Sequence, residues 1–166
     1  MTTGMVLPSE LSGLLNTLGF TWPEGDEGKI FDMAGEWSSF GDALRPRIDE
    51  AHQHAEEVWK QNQDKAIEAF RSFWDGDEAP KKNLDDGAEA AAMVSAGLHV
   101  CAGALIALKV AVIAQLVVLA VQIAQAIATA VPTFGASLAQ IPIFKEITGL
   151  LIDQAIDVAI NAVLNG

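Results

Sequence analysis

Apolar residues return at helical spacing along nearly the whole chain, and strand-like alternation is almost absent. In "LPSELSGLLNTLGF", Leu11, Leu14, Leu15 and Leu18 share one helical face, while Pro8 suits a helix start and Gly19 a stop. A short first helix is therefore expected. Gly25 and Asp26 then supply a flexible residue and a cap for a second helix, with Glu27 placed near the positive end of its dipole. From there Ile30, Ala34, Trp37, Gly41, Leu44, Ile48, Ala51, Ala55 and Val58 fall at alternating steps of four and three. That period of about 3.5 residues predicts a seam packed along a neighbouring helix, supplied by this chain or by another. Pro46 lies inside the run and is expected to kink or locally break it, because it cannot donate back to residue 42. Asp49, Glu50, His52, Glu56 and Glu57 fill the outer face.

After "WKQNQD" the stripe restarts with Ala66, Ile67, Phe70, Phe73 and Trp74, and "WDGDEAPKKNLDDG" reads as the clearest loop in the chain. One very long helix is expected from about Leu84 to Val131, closed by Pro132-Thr-Phe-Gly135, with Pro142 marking a second break. A final amphipathic helix over 143–165 carries Glu146, Asp153, Asp157 and Asn161 on one side, and Ile147, Leu150, Leu151, Val158 and Ala162 on the other. The fold class is all-α: an elongated helical bundle over residues 1–166, read as a single domain. Its halves are an acidic hairpin over 7–80 and, over 84–166, the long apolar helix plus the C-terminal helix.

Charge sharpens that division. The chain has 166 residues, 51% of them hydrophobic, and a formal net charge of −12. Residues 1–87 hold 18 acids and 8 bases, while residues 88–166 hold 4 acids and 2 bases. Ten basic residues among 22 acidic ones argue against nucleic acid as a partner. The single cysteine, Cys101, excludes an intrachain disulfide framework. The opening "MTTGMVLPSELSG" lacks the basic and apolar regions of a Sec signal, so synthesis in the cytoplasm is expected, and any export by another route.

Residues 110–131 carry no charge over 22 positions, enough to span a bilayer. Against this, Gln115, Gln122, Gln125 and Thr129 cluster within about 80° on a helical wheel, which a lipid-facing helix does not need. Basic flanks are scarce as well. A buried bundle helix is the preferred expectation, and membrane association through 98–131 is the alternative. Gly103, Ala107 and Ala111 would let a further helix approach closely in either setting.

Candidate chemistry is thin. His52 and Glu56 stand at a spacing able to hold a metal, but they lie on an acid-rich face with no third or fourth ligand, so a solvated surface is preferred. Asp75, Asp77, Glu78, Asp85 and Asp86 are interrupted by lysines and lack the order of a calcium loop. His99 and Cys101, two residues apart on a helix, point away from each other. With no glycine-rich phosphate loop, no Ser/His/Asp order and no metal quartet, a non-enzymatic protein without a cofactor is expected.

Four stretches, "LPSELSGLLNTLGFTWPEGDEGKI", "AGEWSSFGDAL", "EEVWKQNQDKAIEAFRSFW" and "VAVIAQLVVLA", cover most of residues 7–131. Together they resemble the N-terminal helical domain of actinobacterial polymorphic toxins and of mycobacterial CpnT-like channel-and-toxin proteins, which is related to the WxG hairpin substrates of type VII secretion. The resemblance places the family's Trp-x-Gly turn at Trp59, Lys60 and Gln61, with the glycine replaced and Asn62 suited to left-handed backbone angles. A literal Trp-x-Gly occurs at Trp74-Asp75-Gly76, one helix later. Trp22 and Pro23 read as an architectural corner between the first two helices, and Trp37 as part of the family signature. The family's tyrosine-based export signal is absent, since the chain has no Tyr, and a partner would have to supply it.

The function implied is an export and recognition module. It would pair with a helical partner (a WxG-like protein or a second copy), engage the secretion machinery and deliver a C-terminal cargo. A membrane-inserting or pore-forming module and a structural homo-oligomeric bundle are the alternatives.

Overall fold

The computed structural model describes residues 4–165, and no strand occurs among them. The elements in chain order are α1 (Ser9–Thr17), α2 (Glu27–Gln61), α3 (Lys65–Trp74), α4 (Pro80–Ala128), a 3-10 turn (Ala136–Gln140) and α5 (Ile141–Asn165). The fold is all-α, with a 49-residue apolar helix and a C-terminal helix, as the periodicity predicts.

Local chemistry explains most boundaries. Pro8 precedes α1, and Gly19, at φ 87°, ends it in a left-handed conformation that costs glycine little. The Asp26 carboxylate accepts from the Lys29 amide at 3.1 Å and caps α2, while that of Asp64 accepts from the Ile67 amide at 2.9 Å and caps α3. Behind α4, the Gly135 amide reaches back to the Ala130 carbonyl at 2.7 Å, and the Ser137 hydroxyl donates to the Ala126 carbonyl at 2.7 Å. Those bonds satisfy carbonyls that a helix end otherwise leaves open.

Several boundaries differ from expectation. Pro46 lies within α2 without ending it. The lost donor costs one backbone bond, and the i, i+3 pairs Arg45–Asp42 (3.5 Å) and Arg47–Glu50 (3.3 Å) flank the site. The expected loop over 74–87 shrinks to residues 75–79, because Pro80 starts α4, where a missing N–H is harmless. Lys81 then pairs with Asp85 at 2.8 Å, and Lys82 with Asp86, along the first turns. Pro142 is likewise no break but part of the first turn of α5.

The chain divides into two compact units. Unit 1 takes the chain up to Ile30 together with everything from Val100 onward, and unit 2 is Phe31–His99. In unit 1 the core is Leu11 and Leu15 of α1, Val112 and Leu116 of α4 and Ile152 of α5, with Phe20 and Trp22 packed against it. On α5 the stripe Ile147, Leu150, Leu151 and Val158 is largely exposed, while Thr148 and Ile152 face inward. That helix is apolar around most of its circumference, so its hydrophobic pattern leaves the buried side undetermined.

In unit 2 the seam on α2 buries Ala34, Gly41, Ile48 and Ala55, one position every seven residues, while Trp37 and Val58 of the expected stripe are exposed. A Cβ at Gly41 would lie 3.1 Å from the Ala88 carbonyl oxygen and 3.4 Å from the Ala91 methyl, so α2 and α4 approach at a glycine. Gly41→Val should therefore lower stability by about 1–3 kcal/mol through overpacking. Gly35→Ala, at a position in the same helix with nothing within 4 Å, should raise it by up to about 1 kcal/mol. Urea unfolding of the two variants checks both signs.

Candidate functional site

The stretch "WPEGDEG" forms a corner on α4, and its organiser is a residue that the sequence patterns do not single out. Lys109 is the only Asp, Glu, Lys or Arg between Glu89 and Lys145. It is 1% exposed. Its Nζ donates to Glu27 Oε2 at 2.8 Å, to the Gly25 carbonyl at 2.6 Å and to the Met5 carbonyl at 3.2 Å. The three donors of an ammonium group thus meet three acceptors, which a buried lysine requires. The Trp22 ring centroid lies 5.7 Å from the same Nζ, within cation–π range.

Glu27 is 8% exposed, and its second oxygen accepts from the Met5 amide. The hydrogen bond from Lys109 holds the Glu27 carboxyl below the usual glutamate range, against the opposing effect of burial. Glu27 is therefore more than a dipole partner in the first turn of α2. Gly25 is constrained too: a Cβ there would meet the Leu105 side chain at 2.6 Å.

A second cluster closes the α2–α3 connection in unit 2. Gln61 is the last residue of α2, so the turn itself spans residues 62–64. Asn62 does not adopt left-handed angles; Phe134 is the only non-glycine with positive φ among the described residues. Asn62 contributes through its side chain, whose Nδ2 donates to the Val58 carbonyl at 2.8 Å and satisfies one open carbonyl of α2. Trp59 stacks near Phe70 (5.8 Å between centroids) and Phe70 near Trp74 (6.0 Å), with the Arg71 guanidinium 5.8 Å from the Trp59 ring. The structure thus brings together the two tryptophans that the sequence sets apart as distinct motif matches.

His52 joins this cluster. Trp74 Nε1 donates to its Nδ1 at 3.0 Å, so that nitrogen is unprotonated, and Nε2 faces Glu56 Oε1 at 3.9 Å. Glu56 is itself engaged by Lys60 at 2.6 Å, and that bond lowers its pKa. The candidate metal pair is thus occupied with Trp74 and Lys60. Among the described residues, no group of three or more His, Cys, Asp or Glu is placed to hold a metal ion. Asp85 and Asp86 pair with Lys81 and Lys82, and His99 Nδ1 bonds the Ser95 carbonyl at 2.8 Å. Trp37 stands apart from both clusters, 40% exposed on α2.

The described residues form an all-α chain with a tryptophan-marked helix–helix connection and a long apolar helix. The family model of the WXG100 like domain matches residues 7–149, and the chain belongs to that family. The family places it among helical proteins associated with type VII secretion, which are generally non-enzymatic. No curated protein and no solved structure matches the chain.

Lys109→Met leaves Glu27 buried without its cation and should cost about 3–5 kcal/mol, while the double variant Lys109→Met/Glu27→Leu should recover much of the loss. Chemical denaturation of the three proteins measures both effects. Because the folded-state pKa of Glu27 is depressed, its contribution to stability is complete at neutral pH and declines as pH falls through the glutamate range. Glu27→Gln should flatten that acid limb in a stability-versus-pH series.

Proposed function

We propose that this chain is the export and recognition module of a type VII secretion effector of the polymorphic-toxin or CpnT-like kind. It pairs with a helical protein, engages the secretion machinery and carries a cargo joined beyond its C-terminal helix. The observation that carries this reading is the family match over residues 7–149. The order of "GFTWPEGDEG", "AGEWSSFGDAL" and "EEVWKQNQDKAIEAFRSFW" along the chain supports the finer assignment.

Exposed apolar surface supports a docking role. Met33 and Phe40 on α2, Val117, Val118 and Val121 on α4, and Leu150 and Val158 on α5 are all exposed. Faces of this kind usually mark contact with another protein or a membrane. Among the described residues, no fully buried side-chain nitrogen or oxygen lacks a hydrogen-bond partner, so no chemistry of bond making is needed to explain them.

A membrane-inserting module is the second reading, favoured by a separate observation. Pro80–Ala128 and Ala136–Asn165 are both long and apolar enough to cross a bilayer, by length and composition. The turn joining them presents Val131 at 86% and Phe134 at 100% exposure, an apolar tip without cover. Lys109 weighs on the other side, since its charge is already fully engaged by Glu27 and two carbonyls.

Tagged protein expressed in a host with a type VII system, with and without a working secretion ATPase, tests the export reading. Appearance in the culture supernatant only with the active ATPase is the expected outcome; retention in the cell in both strains would refute export. Flotation with neutral liposomes separates the second reading: the export module stays in the soluble fraction, and partition into vesicles without detergent would replace it.

A further inference from the structure

α2 carries an apolar ridge distinct from its buried seam. Met33, Trp37 and Phe40 stand at i, i+4 and i+7, spacing that aligns side chains along one helical face. They are 46%, 40% and 53% exposed. The Trp37 and Phe40 rings meet edge to face with centroids 6.1 Å apart, and with Glu36 they line an open hollow of about 370 Å³. A large aromatic pair at the surface resembles the anchors of protein interfaces, where Trp and Phe are among the enriched residues.

The charge beside the ridge selects the occupant. Residues 30–44 contain Asp32, Glu36 and Asp42 and no Lys or Arg. Asp42 is engaged by Arg45 at 3.5 Å, whereas Glu36 has no ion-pair or hydrogen-bond partner among the described residues. A carboxylate next to an indole face is complementary to a guanidinium or ammonium group, which gains from both. An isologous contact with a second copy would instead bring acid against acid, and an anionic lipid surface would be repelled in the same way. Unit 2 as a whole repeats that sign, with 15 acids and 7 bases between Phe31 and His99.

We propose that the Met33–Trp37–Phe40 ridge docks an amphipathic helix of a partner protein whose apolar knobs are bordered by Arg or Lys, with Glu36 as the counter-charge. This rests on the reading of the chain as a partner-pairing module and names the surface and the sign of charge it uses. Apolar knobs enter the hollow between the two rings, and a basic residue one turn away reaches Glu36 and the Trp37 face.

The test uses the full chain and a pair of fluorescently labelled helical peptides with identical leucine stripes, one bordered by arginine and one by glutamate. Anisotropy titrations at low and at physiological salt are compared for wild type, Trp37→Ala, Glu36→Lys and, on α5, Leu150→Ser/Val158→Ser. Circular dichroism and melting of each variant control for folding, which the exposure of all these positions should leave intact. The expected result is binding of the arginine peptide that weakens at least tenfold in Trp37→Ala and in Glu36→Lys, with the α5 variant unchanged. Equal binding of both peptides, or ridge variants that bind as wild type does, overturns the proposal. Loss confined to the α5 variant also overturns the ridge while leaving partner pairing in place. Failure to bind either peptide overturns the ridge too, while ATPase-dependent export separately decides the pairing module itself.

Discussion

A single buried ion pair fixes where the N-terminal segment lies. α4 is so apolar that its hydrophobic surface alone would accept α1 at many positions along its length. Lys109 removes that freedom, because its ammonium group must find acceptors, and Glu27, Gly25 and Met5 supply them at one position. The stabilising value of such a pair against an apolar substitute is small or negative, since two desolvated ions must first be taken out of water. Its value lies in specifying one arrangement. The glycine at position 25, the cap at Asp26 and the ring of Trp22 all take their places around that contact.

The same logic accounts for the burial pattern of α4. Its buried positions run Ala88, Ala91, Ser95, Ala102, Lys109, Val112, Leu116, Leu119 and Ala126, separated by three, four or seven residues. Lys109 thus occupies a seam position of a heptad-like helix, where side chains that face a neighbour are found. The residues on that line are small near the start of the helix and branched further on. Close backbone approach is used in unit 2, at Gly41, and ordinary side-chain packing around Leu11, Leu15 and Ile152 in unit 1.

Much of this is legible in the residues themselves. Helix existence, the Pro8 and Gly19 limits of α1, the Asp26 cap and the seam on α2 follow from local periodicity and cap chemistry, which act over a few residues. What stays hidden depends on distant pairing. The packing of residues up to Ile30 with those beyond Val100 joins segments some 80 positions apart, and Lys109–Glu27 is its signature. A clue was present in the isolation of one lysine within a long uncharged run, since an unpaired buried cation is not tolerated. The linking of Trp59 to Trp74 through Phe70 was hidden for a different reason, because the short α3 folds back and shares an aromatic cluster with the end of α2. On α5, a helix apolar around most of its circumference could not report its own inward face.

Family membership gives the fold its biological setting, and the core of unit 1 depends on the N-terminal segment being held at one place on α4. Amide hydrogen exchange in the Lys109→Met variant examines that dependence directly. Loss of protection across Ser9–Thr17, with α2 from Phe31 onward protected as in wild type, is the result this account predicts. Protection of α1 unchanged by the substitution would show that apolar packing alone sets its position, and would contradict the account.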